Sequence, residues 1–498
     1  MKKARTESQA ALCALPPEMI QRVASFLPDN KAFFNLLEAF QCAKQYLGNL
    51  QHVYEASVAY PFHAFWPALH VKHRTQRAHD NMTDSKNIVP RVGMHYSTIH
   101  VHGIFEFDVL RSYATSPDTM LAFHLCPIAD EIGYPLQEWY EEFATLPIKH
   151  ITWVEGRPDE TPQPIDALVS VLPGMTRLQS LDARMSRVES PDALLDYVQN
   201  SHLTHVNINR VYTRYQDPAA TLGDEDTDDI VRSNLTSRRL QRIIQWLKQQ
   251  PVESFDMGNW IVSADVETLV QFFDVLWTHE TLSTFHASRT RLFNVSKYEF
   301  SMPIQLQRLN LSSCMIDCRE MHWLAKGLKD SCVEWLDLSN NPLGVKGTEA
   351  LANALPPSLG HLLLSHVDME DLGFSFLLYA LPGTSITHLH VDMNKISDAS
   401  AIFFASTLHE TPSLEAVSLK ENDFTVDGAM ALVTTLAKQK CHPALTLIDM
   451  DDNNFDDVDE ADLIRVTACL ADASVALPFM SFAPRALCSL DRGDWGDY

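Results

Sequence analysis

Between Leu306 and Asn453 the apolar positions keep one frame. An apolar residue is followed by two variable ones, an apolar residue, one variable one and an apolar residue, and three positions later by Asn, Cys or Val. The copies read LQRLNLSSC, VEWLDLSNN, LGHLLLSHV, ITHLHVDMN, LEAVSLKEN and LTLIDMDDN. Their central residues, Leu309, Leu336, Leu362, Leu389, Val417 and Ile448, stand 27, 26, 27, 28 and 31 positions apart. Side chains alternate across a strand, so the last two apolar residues of each copy share a face and the variable ones take the other. The closing Asn, at 341, 394, 422 and 453, is a residue type that bonds backbone amides where a chain turns. Cys314 and Val367 hold that place in two copies, where packing must carry more. Between strands the apolar period lengthens to that of a helix, as at Met321, Leu324, Ala325 and Leu328. Phe374 to Leu381, Ala401 to Leu408 and Ala429 to Leu436 repeat the pattern.

One strand and one helix per unit of this length resembles the leucine-rich repeat, in its ribonuclease-inhibitor-like class. The resemblance implies an α/β fold, a curved solenoid with parallel strands inside and helices outside. No unit covers its own apolar face, so neighbours must stack. Weaker copies precede the six: IKHITW, LQSLDA, LTHVNI, VESFDM and LSTFHA, centred on Ile151, Leu181, Val206, Phe255 and Phe285. About eleven repeats then occupy residues 146–475. The long unit between Val206 and Phe255 holds the acidic run from Gly223 to Asp229 around Asp226, then a predicted helix from Ile230 to Gln249. Like charges in series favour a solvated loop there, with contact to a basic partner as the other reading. Past Leu470 the frame lapses, and residues 476–498 read as an irregular C-terminal cap.

Residues 10–55 have a different pattern. Pro16 and Pro17 open a helix carrying Met19, Ile20, Val23, Phe26 and Leu27, and Pro28-Asp29-Asn30 stops it. A second helix carries Phe34, Leu37 and Phe40. Leu15, Pro16, Glu18, Ile20, Val23, Phe26, Leu27 and Pro28 resemble the opening half of an F-box. The resemblance implies that Leu15, Pro16, Ile20, Val23, Phe26 and Leu27 dock on the Skp-type adaptor of a cullin–RING ubiquitin ligase. The other reading is an amphipathic helix pair that caps the solenoid. Residues 56–145 read as a linker and a degenerate or irregular region. His70 to Pro90 is polar and without periodicity, whereas YSTIHVHGI and MLAFHL resemble early repeats. His100 and His102 alternate with apolar residues and so share a face, as surface groups rather than metal ligands.

The chain of 498 residues has a formal charge of −25. That argues against a nucleic-acid groove, which needs a basic stripe, and against an anionic membrane surface. Nine Cys are sparse and odd in number, unlike a secreted disulfide scaffold. The opening MKKARTESQA lacks an apolar signal core. An intracellular protein, cytoplasmic or nuclear and soluble, is expected. No P-loop, dinucleotide fingerprint, nucleophile elbow or H-E-x-x-H occurs, so no catalytic residue, cofactor or metal is assigned. Asp449, Asp451, Asn453, Asp457 and Glu460 match calcium-loop spacing, but the first three already have places in the repeat frame.

The variable positions of the later copies should line the concave strand face. They are Arg308, Asn310, Trp335, Asp337, His361, Leu363, His388, His390, Asp392, Ser418, Lys420 and Asp449. From these, Arg308, Asn310, Trp335, Asp337, His361, His388, His390, Asp392 and Lys420 are the expected contacts to a protein substrate. Trp335 is the expected anchor, since Trp is enriched among hot spots; a Trp packed under a flanking loop is the alternative. The histidines suit a pH-sensitive binding surface. The combined expectation is the substrate-recognition subunit of a Skp–cullin–F-box ligase. The alternative is a non-enzymatic scaffold or inhibitor; for a third reading, a GTPase activator of the Ran type, no residue points to an activating Arg.

Overall fold

The structure, a computed structural model, describes residues 17–27, 29–40, 47–48, 50–58, 61–72, 85–114, 116–127, 131–153, 165–213, 231–292, 298–439, 444–454 and 479–481. Leu15, Pro16, the acidic run around Asp226, and Asp457 and Glu460 lie outside them. The chain divides into two compact units, Met1–Val206 with Val211–Val231, and Asn207–Arg210 with Arg232–Tyr498.

The first unit opens with helices α1 (Pro17–Ser25), α2 (Asn30–Ala39) and α3 (Leu50–Ser57). Asp29 accepts the backbone N–H of Ala32 at 2.7 Å and so caps α2. Ile20, Ala24, Phe33, Phe34 and Leu37 are buried. The ring of Phe33 stacks on Trp66 at 3.9 Å, and the Trp66 indole N–H donates to the Leu27 carbonyl. Four parallel strands follow: β1 (Leu69–Lys72), β2 (Thr98–His102), β3 (Met120–His124) and β4 (Ile148–Thr152). β5 (Ser180–Asp182) and β7 (His205–Asn207) continue that order, and β6 (Arg187–Val188) pairs with β8 (Tyr212–Thr213) beside it. Val71, Val101, Phe123, Ile151 and Leu181 stand in one register row and are buried.

The ladder therefore begins well before Ile148. The runs at Ile99 and Leu121 are strands of it, as their alternation implied. The His70–Pro90 stretch, expected as linker, contributes β1 at its start and a helix at Ser85–Val92 near its end. Polar composition misled there because the outward half of β1 carries His70 and Lys72, leaving only Leu69 and Val71 as apolar signal.

After β9 (Val231–Arg232), which straddles the division, the second unit continues with β10 (Asn234–Leu235), which pairs with β12 (Ile261–Val262). The helix expected from Ile230 starts only at Ser237, where Thr236 accepts the N–H of Arg239 and sets the first turn. The ladder runs through β11 (Ser254–Asp256), β13 (Thr284–His286), β14 (Arg308–Asn310), β15 (Trp335–Asp337), β16 (His361–Leu363), β17 (His388–His390), β18 (Ala416–Ser418), β19 (Leu447–Asp449) and β20 (Phe479–Ser481). Pairing is parallel, and Phe255, Phe285, Leu309, Leu336, Leu362, Leu389, Val417 and Ile448 are consecutive register partners, all buried. This is an α/β fold on a parallel-strand ladder. β20 extends it by one strand into residues expected to be an irregular cap.

Two devices turn the chain after each strand. First, a residue at the same place in each repeat adopts a left-handed backbone: Asn259, Arg289, Ser313, Asn340, His366, Met393, Glu421 and Asp452, with φ from 51° to 66°. None is Gly, so each costs about 1 kcal/mol of strain. The N–H groups from Asn259 to Glu421 offset it by donating to the next repeat, as Met393 does to the Lys420 carbonyl at 2.9 Å. Second, the closing Asn bridges repeats. The Asn394 side-chain oxygen accepts from the N–H of Val367 (2.9 Å) and Met369 (3.4 Å), while its amide donates to Leu364 (2.7 Å) and Asp392 (2.9 Å) carbonyls. Asn341, Asn422 and Asn453 repeat the scheme and are likewise buried. Asn453 does so beside Asp449 and Asp451, so this segment serves the ladder.

Candidate functional site

With the apolar row turned inward, the alternate residues of each strand form two outward rows in the second unit. One reads Thr284, Arg308, Trp335, His361, His388, Ala416, Leu447. The other reads His286, Asn310, Asp337, Leu363, His390, Ser418, Asp449. Trp335 is half-buried in the first of these rows. The Arg308 guanidinium lies 5.1 Å from its ring centre and the His286 ring 6.0 Å away. His361 and His388 stack at 4.6 Å, 11° from coplanar. Burial, with His388 and Arg308 nearby, holds His361 below the usual histidine range. Burial does the same to His390, against the pull of Asp392. Both are therefore neutral at pH 7 and offer ring faces and N–H donors rather than charge.

Several expected contacts have structural duties. The Asn310 side-chain oxygen accepts the Ser312 N–H at 2.9 Å, and the buried Asp337 carboxylate accepts that of Ser339 at 2.9 Å. Asp256 and Asp449 do the same for Gly258 and Asp451. An Asx turn thus recurs directly after the strand, and an acid or amide at that place serves the turn first. Asp392 accepts from the hydroxyls of Ser365 (3.1 Å) and Ser418 and from the Lys420 N–H (2.9 Å). Lys420 reaches the Asp449 carboxylate at 2.8 Å. These groups are committed to their neighbours. Arg308, Trp335, His361, Leu363, His388 and His390 also stand on that face, with His388 bonded to the Thr387 hydroxyl at 2.9 Å.

On the first unit the outward rows carry histidine. One reads His70, His100, Ala122, His150, Ser180; the other Lys72, His102, His124, Thr152, Asp182. Ring centres lie 4.5 Å apart for His70–His100, 4.6 Å for His102–His124 and 5.0 Å for His124–His150. Nitrogens of His70 and His102 approach to 3.2 Å and those of His100 and His124 to 2.9 Å. His150 bonds Ser180 and Thr152, each at 2.7 Å. Burial is the main cause that lowers His70, His102 and His150 to about 4 and His124 to about 3. Sequence reasoning found only His100 and His102; the signal for the rest was His at matching places in adjoining strands. Among the described residues no group of three or more His, Cys, Asp or Glu is placed to hold a metal ion.

On α1, Met19 (51% exposed), Val23 (46%) and Phe26 (73%) form an apolar stripe in water. Ile20, expected among the docking residues, is buried instead, while Met19 is exposed. Leu27 is half-buried.

A family model for the leucine-rich repeat matches residues 384–405, which span β17 and the first turns of the following helix. NACHT, LRR and PYD domains-containing protein 5 of Mus musculus is 29% identical over 139 residues, 26% of this chain and 12% of that protein. Its Homo sapiens counterpart is 31% identical over 159 residues, 30% of this chain and 13% of that protein. The chain thus spans about an eighth of the length of the curated relatives it matches. A Listeria monocytogenes internalin structure is 13% identical, with a TM-score of 0.33 over 79% of this chain and 81% of that one. So loose an overlay carries no argument. The chain contains leucine-rich repeats. Among the described residues no helix is long and apolar enough to cross a membrane.

Proposed function

We propose that this chain is the substrate-recognition subunit of a Skp–cullin–F-box type ubiquitin ligase, built on ribonuclease-inhibitor-like repeats. The observation that carries the reading is the α1 stripe. Phe26, Val23 and Met19 stand in water on a helix whose opposite side is already packed. Interfaces concentrate their energy in a few such anchors, and the F-box resemblance names a Skp-type adaptor as what covers them. The protein substrate binds the strand face of the second unit around Trp335, Arg308 and the His361–His388 pair. The subunit makes and breaks no bonds; tethering raises the substrate's effective concentration at the conjugating enzyme.

The test is calorimetric titration of the full chain with a purified Skp-type adaptor, comparing the parent with Val23→Asp/Phe26→Asp. Loss of binding in a variant with an unchanged melting curve supports the reading, and undiminished binding removes it. A scaffold without a ligase role is the second reading, favoured by the leucine-rich-repeat family match within residues 384–405.

A further inference from the structure

The histidines of the first unit have no part in that reading, and their role is independent of it. His70, His100, His102, His124 and His150 occupy outward places on four consecutive strands, which in a parallel ladder lie about 4.8 Å apart. The titratable groups around them are almost all nitrogen bases. His70 faces His63 from the turn before β1, Lys72 on its own strand and His100. His100 faces Lys149, and His102 faces His70, Lys72 and His100. His124 faces His102, His150, His100 and His70. His150 faces Asp182, His100, His205 and Arg184. Asp182 is the single carboxylate among these neighbours, and Arg184 holds it at 2.8 Å. In a chain of formal charge −25, a face with one engaged acid and so many nitrogen bases selects its partner by charge complementarity.

We propose that the strand face of the first unit is a proton-gated docking site for an extended acidic peptide segment, whose carboxylates seat against the rows of His70, His100, His102, His124 and His150. Unoccupied, the half-buried imidazoles are neutral at pH 7 and Asp182 is paired with Arg184, so the net charge of the face is that of Lys72 and Lys149. A carboxylate brought within about 4–6 Å favours the imidazolium. Each such contact takes up a proton from solvent onto a ring nitrogen, and no covalent bond changes. Nucleic acid is disfavoured as the occupant, because its affinity rests on fixed Lys and Arg charges that displace counterions, and this face has few.

The experiment titrates the full chain into a fluorescein-labelled Asp-Glu repeat peptide of about twelve residues at about 0.15 M salt, where screening leaves only local attraction. We expect Kd to fall about tenfold or more between about pH 7.5 and pH 6, with proton uptake seen as buffer-dependent calorimetric enthalpy. His100→Gln/His124→Gln should flatten that pH dependence. Should that variant fail to fold at pH 7.5, Lys72→Glu/Lys149→Glu, on rims of the same face, should weaken binding about tenfold. Affinity independent of pH, affinity unchanged in the folded variants, or equal binding of a neutral Asn-Gln peptide overturns the proposal. Tighter binding of a single-stranded RNA of equal length overturns the choice of partner and with it the proposal.

Discussion

Replacing Asn394 by Val separates hydrogen bonding from packing in the ladder. Val already holds the equivalent place one repeat earlier, at Val367, so the substitution asks for nothing the fold does not contain. Three of the four Asn394 side-chain bonds are 2.9 Å or shorter, and one is 3.4 Å. Counting about 1 kcal/mol for each of the three good bonds gives about 3 kcal/mol. The Val367 N–H is left without its acceptor in a buried place, which adds about 1–3 kcal/mol. Burying Val in place of an amide returns about 1 kcal/mol. The expected loss is thus about 3–5 kcal/mol, read from urea unfolding with an unchanged m-value. Amide exchange should speed up mainly at residues 364–369 and 391–396, since a repeat contacts only its neighbours. A loss under about 1 kcal/mol would mean that packing alone holds the turns and that the bridge is incidental.

Other perturbations probe the same geometry. Leu362→Ala empties a fully buried ladder position and should cost about 2–5 kcal/mol by thermal or urea unfolding. Asp317 accepts the N–H groups of Arg319 and Glu320 while Glu320 accepts that of Asp317, so Asp317→Ala should cost about 1 kcal/mol. The histidine face should make the first unit acid-labile. Its folded pKa values lie below the free value of 6.5, so the unfolded chain binds protons first. Stability should be full above pH 6.5 and fall as pH drops toward about 4, and His124→Gln should shrink that loss in a melt series. Trp335→Ala should leave the melting curve within about 1 kcal/mol of the parent, because the ring is half-buried on an outer row, yet remove captured substrate.

The ladder was legible because burial of one row forces Leu, Val, Ile or Phe at a fixed place in every copy. Parallel strands came with the repeat resemblance, and the Asn at the turn was legible from its residue type, though not that Asn394 bridges two repeats. The outward rows were harder, since nothing in a variable position says whether its side chain serves the protein or a partner. Asn310 and Asp337 look like contacts in the sequence, but in the structure their oxygens hold the turn after the strand. The left-handed residues carried no mark either: Met393, Glu421 and Arg289 are not types that favour positive φ, and the next repeat's carbonyls hold them there. β1 escaped notice because two of its four residues are His70 and Lys72. At the N-terminus Met19, Ile20, Val23 and Phe26 showed a stripe, but the sequence did not say that Ile20 would be buried and Met19 exposed.

The central claim, one chain holding an adaptor by α1 and a substrate by its second strand face, is tested most directly by quantitative mass spectrometry of proteins captured by three tagged chains. These are the parent, Val23→Asp/Phe26→Asp and Trp335→Ala/His388→Ala. The account predicts that the first variant loses the Skp-type adaptor and cullin but keeps its other captured proteins. The second should keep adaptor and cullin and lose the others. Adaptor and cullin absent from the parent, or present equally with all three chains, would contradict it.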